Sequence, residues 1–303
     1  MGLVISHNFA ASYAARQLEI NDDNLRNSLH KLSSGKRIVR PTDDAAGMAV
    51  QLKMKAAINR GFAAKNNIQN AISLLQTQDG VLQTATSVVD RIAELKAMST
   101  DATKNDDDLQ NYNEEYQVLR QQLIDLQDEQ FNGVGMFVSD SSNHDQTTDT
   151  VEGIFTIYTT EQGSANGAPS VGFKGVHLAS TGGAAASEGL LQNVVDNNFS
   201  GATAASGGLT NAALTMDNIL ADLQRLANAR AHNGALQSRL GFAYDNASVS
   251  KSNMEAARSR IIDVDIAEES TKFASYNILT QASASILAQA NQTGRTALQL
   301  LMA

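Results

Sequence analysis

Residues 68–92 read IQNAISLLQTQDGVLQTATSVVDRI, and their apolar positions recur on a fixed period. Ile68, Leu75, Leu82 and Val89 fall seven residues apart, flanked by Ile72, Ala85 and Ile92. A repeat of this length is the seam of a coiled coil rather than the broad apolar face of a globular helix. No proline interrupts the chain from about Asp43 to Met98. One helix of that span would be roughly 80 Å long, far longer than a compact domain is wide. The glycines at 47, 61 and 80 are the places where it could loosen.

Upstream, the same period continues. Val4, Ala11, Leu18, Leu25 and Leu32 recur every seven residues, with Leu29 read as the intermediate position, so a first helix is expected from about Ile5 to Ser33. Ser33-Ser34-Gly35 supplies its stop, Gly35 being able to take the left-handed conformation after the last turn. Pro41 disfavours helix in the residue before it. Thr42 is the candidate cap of the long helix, and Asp43 and Asp44 place negative charge on its first turn.

Downstream, Thr100 to Asp108 is a polar linker. Tyr112, Tyr116, Leu119, Leu123 and Leu126 then mark a third helix by spacings of three and four, ending near Phe131-Asn132-Gly133. Asp106-Asp107-Asp108 lacks the glycine and distal glutamate of a calcium loop, and reads as the acidic opening of this helix. From about Val138 to Gly208 the helical period disappears into Ser, Thr, Gly and Asn. A β-favouring run around Ile154 to Thr159, a turn-rich stretch with Asn166-Gly167 and Pro169, and then Val171 to Leu178 predict a small hairpin. Residues 180 to 208 read as exposed and low in complexity, with room for a short helix at Leu190 to Val195. Helical pattern returns from about Leu209 to Ile261. Met216, Leu220, Leu223 and Ala227 are read as one face, continued with a phase shift by Leu236, Leu240, Tyr244 and Ala247. A last helix is expected from about Val264.

The expected fold is therefore mainly α: long antiparallel helices forming a coiled-coil rod with paired N- and C-terminal segments, plus a small β-hairpin element in the central insert. The expected domains are 1–42 with 264–303, 43–137 with 209–263, and the insert 138–208.

Composition excludes several functions. Cysteine is absent, so there is neither a disulfide framework nor a cysteine nucleophile. The net charge of −9 leaves no basic stripe for nucleic acid. No run approaches the roughly 18 apolar residues of a membrane span, and a basic, then apolar, cleavable leader is not seen at Met1. The Met1-Gly2 to Ser6 myristoylation pattern is short enough to arise by chance. His144 and His177 lack the His-Glu-x-x-His setting of a zinc protease. No catalytic, cofactor or metal site is expected.

The two ends carry the functional information. Met1 to Ala15 has no charged side chain apart from the titratable His7, and Phe273 to Ala303 has only Arg295. Leu279, Ile286 and Leu287, then Leu298, Leu300 and Leu301, lie on more than one side of the last helix. A helix contacted from several sides replaces charge with neutral amides and hydroxyls, because burying an unpaired charge is costly. An interfacial membrane helix would instead carry Lys or Arg along a polar face. The ends are expected to pack against other copies of the chain.

At these residues the sequence resembles bacterial flagellin. Leu32-Ser33-Ser34-Gly35-Lys36-Arg37-Ile38, followed by Asp43-Asp44-Ala45-Ala46-Gly47, looks like that family's N-terminal signature. Gln130-Phe131-Asn132-Gly133 resembles the block closing its N-terminal half. Ala257-Arg258-Ser259-Arg260-Ile261, with Asp263 and Asp265, and Ile286-Leu287-Ala288-Gln289-Ala290-Asn291-Gln292 resemble its C-terminal blocks. The resemblance implies a filament subunit whose ends pair in an inner coiled-coil domain, exported unfolded through a type III apparatus. It implies an export chaperone on roughly Asp265 to Ala303, hook-associated and cap proteins as partners, and an extracellular or periplasmic filament. It also places Arg91, Glu94 and Leu95 on the helical patch recognised by Toll-like receptor 5, although Asp90, Ala93 and Lys96 depart from the commonest pattern. Two other readings stay open: a hook–filament junction protein, and a secreted helical adhesin or receptor ligand.

Overall fold

The computed structural model describes residues 8–137, 155–163, 167, 169–173, 178, 190–195, 208–209 and 214–302. Its elements run α1 (Phe9–Ser34), α2 (Ala45–Ser99), α3 (Asp106–Gln127), β1 (Gln130–Phe131), β2 (Val134–Gly135), β3 (Phe155–Tyr158), β4 (Ser170–Phe173), α4 (Gln192–Val195), α5 (Met216–Ile262) and α6 (Ile266–Met302). The chain divides into two compact units, Met1–Ile58 with Ser252–Ala303, and Asn59–Lys251. These divisions fall inside α2 and α5, whereas the expected domains changed at residues 42 and 264, the breaks between helices.

The first unit pairs α1 with α6. Three side-chain hydrogen bonds, from Asn8 to Ala290, Asn21 to Ser283 and Ser28 to Glu269, run in opposite chain directions, so the helices are antiparallel. The turns that follow α1 and α5 are tied together as well. Gly35, at φ 67°, caps α1 in the left-handed region, which only glycine enters without cost. Its carbonyl accepts from Val264 N at 3.1 Å, Arg37 N donates to Ile262 O at 2.6 Å, and Lys36 and Asp263 form a β-bridge. Both sequence breaks therefore lie side by side in one unit, which is why neither is a boundary.

The start of α2 corrects an expectation. Asp44, not Thr42, is the cap: its carboxylate accepts from Gly47 N at 2.8 Å. Asp43 instead closes the loop, its Oδ2 accepting from Val39 N at 3.0 Å and Arg40 N at 2.9 Å. Ile38 is buried beneath this turn. A Cβ on Gly47 would stand 2.4 Å from Asp44 Oδ2 and 2.7 Å from the Ile38 Cδ1 atom, so a side chain there must displace the capping carboxylate and the buried isoleucine.

The second unit carries the main core. Leu82, Ala85, Val89, Ile92 and Leu95 of α2 pack with Tyr116, Leu123 and Leu126 of α3 and with Ile219 and Leu226 of α5. A second cluster joins Ile68, Ala71, Leu74 and Leu75 to Val171, Leu236 and Leu240. The seven-residue repeat quoted first is thus entirely buried at Ile68, Leu75, Leu82 and Val89, and α2 runs unbroken through its glycines. Within this unit α2 and α5 are antiparallel, since Asp79 pairs with Arg230, Leu75 with Asn233, and Lys65 with Ser248. Asn105 caps α3 in a capping box with Asp108, so the acidic run opens the helix at Asp106.

On α5 the expected face is rotated. Leu220 and Ala227 are exposed, while Ile219, Asp222 and Leu226 are buried. The buried charge at Asp222 explains the error: its carboxylate accepts from Val194 N at 3.0 Å and from Arg225 Nη1 at 2.7 Å. Together with Tyr116 Oη, 2.9 Å from Val194 O, and the Arg120 guanidinium, 2.9 and 3.1 Å from Val195 O, it clamps α4 onto α3 and α5. Leu191, Val194 and Val195 are therefore core residues. The remainder of the insert, outside the residues named at the start, includes most of 180–208.

Two small hairpins complete the unit. β3 and β4 pair Phe155 with Phe173 through Tyr158 with Ser170, the hairpin expected from the sequence. β1 and β2 pair Gln130 with Gly135 and Phe131 with Val134 around a two-residue turn. There Asn132 and Gly133 both have positive φ, 53° and 78°, the requirement of the tight hairpin turn for which Asn-Gly is the preferred pair.

Candidate subunit-packing surface

The seam between α1 and α6 is made of alternating three- and four-residue steps. On α1 these are Ala11, Ala14, Leu18, Asn21, Leu25, Ser28 and Leu32, each buried or half-buried. On α6 they are Glu269, Phe273, Tyr276, Thr280, Ser283, Leu287 and Ala290. The expected positions Ala11, Leu18, Leu25, Leu32 and Leu287 are therefore seam residues, turned toward the partner helix of the same chain. Leu29 is not: it is more than half exposed, beside the seam. The intermediate positions are Ala14, Asn21 and Ser28, two of them polar. Asn21 Nδ2 donates to Ser283 Oγ at 2.8 Å, and the Ser28 hydroxyl donates to the buried Glu269 carboxylate. An apolar-only search misses them, although their spacing follows the three-four rule.

With this seam occupied, the remaining faces of both helices stay apolar in places. Leu279 is 46% and Ile286 61% exposed, seven residues apart and next to the seam positions Thr280 and Leu287. Ile278 is exposed beside them, and on α1 Phe9, Tyr13 and Ile20 stand on the side away from the seam. Val4 and the side chains of Leu298, Leu300 and Leu301 lie outside the described residues.

The trio assigned to receptor recognition is divided. Arg91 is exposed and bonds Glu115 and Glu94, each at 2.8 Å. These hydrogen bonds, that of Glu115 first, raise the guanidinium pKa further above its usual value. Leu95 is wholly buried among the core residues of α2, α3 and α5. On the folded surface only Arg91 and Glu94 of the three are therefore presented.

Among the described residues, no group of three or more His, Asp or Glu side chains is placed to hold a metal, and no helix is long and apolar enough to cross a membrane.

Paired terminal helices, joined by a polar-layered seam and carrying apolar residues outside it, have the make-up of a structural protein. The comparison with known proteins specifies which. Residues 5–142 match the model of the bacterial flagellin N-terminal helical region, and residues 216–301 that of the C-terminal helical region. The flagellin of Halalkalibacterium halodurans is 35% identical over 302 residues, covering 99% of this chain and 100% of that protein. The flagellar filament 30.7 kDa core protein of Treponema maltophilum is 34% identical over 306 residues, with 99% and 100% covered. The flagellin of Bacillus subtilis is 33% identical, with 98% and 99% covered. The chain belongs to the bacterial flagellin family, whose members are structural subunits of the flagellar filament.

Proposed function

We propose that the chain polymerises through the outward faces of α1 and α6, around the intrachain seam, to build the core of a motility filament. The observation that carries this reading is the pair Leu279 and Ile286. Both are large, apolar and exposed on a helix whose seam is already filled. Burying the exposed half of one such side chain against a neighbour contributes about half of the roughly 1.5–3 kcal/mol of a full burial, and many copies repeat the contact. The uncharged stretch from Phe273 supports the same reading, because contacts on several sides leave no face for charge.

Export in an unfolded state, a chaperone holding roughly Asp265 to Ala303, and hook-associated and cap proteins at the filament ends complete this proposal. Recognition by Toll-like receptor 5, if it involves the folded α2, narrows to Arg91 and Glu94. The filament is placed outside the cell, with a periplasmic filament as the other outcome of cell fractionation. Purified subunits assemble into long filaments, and deletion of residues 279–303 abolishes assembly while leaving the second unit folded. Intact filaments from the truncated chain would overturn the reading. A hook–filament junction protein would occur in a few copies per organelle, and an adhesin as a stable monomer whose deletion spares motility.

A further inference from the structure

We propose that Asn132 is a site of spontaneous covalent modification, deamidating through a cyclic imide to aspartyl and isoaspartyl products that alter the β1–β2 turn. The chain has three Asn-Gly pairs, at 132, 166 and 233. Glycine after asparagine favours cyclisation because no Cβ hinders the approach of its backbone nitrogen to the asparagine side chain. Structure then separates the pairs, and Asn166 lies outside the described residues.

Asn233 is locked. It is 3% exposed on α5, its Nδ2 donates to Leu75 O at 3.1 Å and to Gln78 Oε1 at 3.2 Å, and its Oδ1 accepts from Gln237 at 2.9 Å. Gly234 stands inside the same helix, so ring closure there requires local unfolding first. Asn132 is the opposite case. It is exposed at the tip of a two-residue turn, and its amide makes no hydrogen bond to another described residue. The turn is held by the short pairing of Gln130 with Gly135 and Phe131 with Val134, extended by Met136 N donating to Glu129 O at 3.3 Å.

The chemistry needs only water and base. The Gly133 nitrogen loses its proton and attacks Cγ of Asn132. The new C–N bond closes a five-membered ring, and the Cγ–Nδ2 bond breaks, releasing ammonia. Water then opens the imide. Cleavage at Cγ leaves an aspartyl residue, whereas cleavage at the original backbone carbonyl leaves the isoaspartyl form. Nothing is oxidised or reduced.

The consequence is local and structural. Either product puts a carboxylate beside a groove lined by Asn67, Asn70, Leu74, Phe131 and Tyr158. The isoaspartyl product also adds a backbone carbon to a turn whose length fixes the hairpin register. Phe131, at the foot of that turn, packs against both core clusters, so the change reaches the interior.

The test is to incubate the full-length chain at mildly alkaline pH, with and without denaturing urea, and follow each Asn-Gly peptide by mass spectrometry and isoaspartate methylation. In the folded chain, conversion at Asn132 outruns that at Asn233 by more than an order of magnitude. In urea the two converge. Equal rates in the folded chain, or no conversion at Asn132 while the urea sample converts, overturn the proposal. An Asn132→Gln chain, in which five-membered ring closure is removed, shows no isoaspartate at that position, and persistence of the methylation signal in its 132 peptide would equally overturn it.

Discussion

Asn21 Nδ2 donates to Ser283 Oγ at 2.8 Å across the α1–α6 seam. A polar layer of this kind in a coiled coil holds one register at some cost in stability, because a slipped pairing leaves the amide unsatisfied. Ser28 with Glu269 forms a second layer. Replacing both members, Asn21→Leu with Ser283→Leu, is expected to raise the thermal stability of the helix pair while loosening its register. The chain has no cysteine, so cysteines placed at Asn8 and Ala290, which are hydrogen-bonded here, report the register by disulfide yield in assembled protein. An undiminished yield in the leucine variant would assign these layers no registering role.

Glycines on α2 are expected to respond with opposite signs. Gly47→Ala drives a methyl against Asp44 and Ile38 and should destabilise the first unit by about 1–3 kcal/mol. Gly61→Ala and Gly80→Ala meet nothing within 4 Å and should stabilise the second unit by about 0.5–1 kcal/mol each. Denaturant unfolding of the three variants checks this. A neutral Gly47→Ala would show that the capping turn relaxes freely.

The α4 clamp predicts local rather than global effects. Tyr116→Phe removes the donor to Val194 O and should cost about 1–2 kcal/mol, the penalty of a lost buried hydrogen bond. Hydrogen exchange at the Val194 and Val195 amides should accelerate, whereas amides near Leu240 should not change. Unchanged exchange at Val194 would mean that apolar packing of Leu191 and Val195 alone holds the segment.

Acid sensitivity should involve Asp43. The Arg40 backbone N–H chiefly holds its pKa below the ordinary 3.8; burial opposes it next in size, and the Val39 N–H and the charges of Lys31 and Arg40 add to the lowering. A carboxylate depressed in the folded state contributes stability above its unfolded pKa and loses it as pH falls through the folded one. The stability difference between the native chain and Asp43→Asn should be largest at neutral pH and shrink below the ordinary carboxylate value. Thermal unfolding at a series of pH values measures it. A difference independent of pH would show that the charge of Asp43 plays no part.

Much of the fold was legible because apolar periodicity is local. Ile68, Leu75, Leu82 and Val89 announce α2, and Tyr116, Leu123 and Leu126 announce α3, in residues that are then found buried. Two of the misreadings share one cause, which is a polar residue in the core whose partner is remote in sequence. Ser28 is buried because Glu269 accepts its hydroxyl, so Leu29 was read in its place. Asp222 is buried because it accepts from Val194 and Arg225, so the face of α5 was taken from Leu220 and Ala227. Leu95 illustrates the converse. The family resemblance put it on an exposed patch, but the helical phase it shares with Ile92 and Val89 places it inside. At the packing surface, the sequence led to the expectation that the ends are contacted from several sides. The division between seam and outer face, with Leu287 on one and Leu279 and Ile286 on the other, required coordinates.

The most direct test of the account is the critical concentration for polymerisation of a Leu279→Ser, Ile286→Ser chain. Leu279 and Ile286 are already about half covered in the subunit, so each replaced side chain removes about half of the roughly 1.5–3 kcal/mol of a full burial, and every 1.4 kcal/mol is about tenfold in concentration. The expected result is a critical concentration raised at least about tenfold, with the subunit's helical content and unfolding midpoint unchanged. Filaments forming at the native concentration would contradict it.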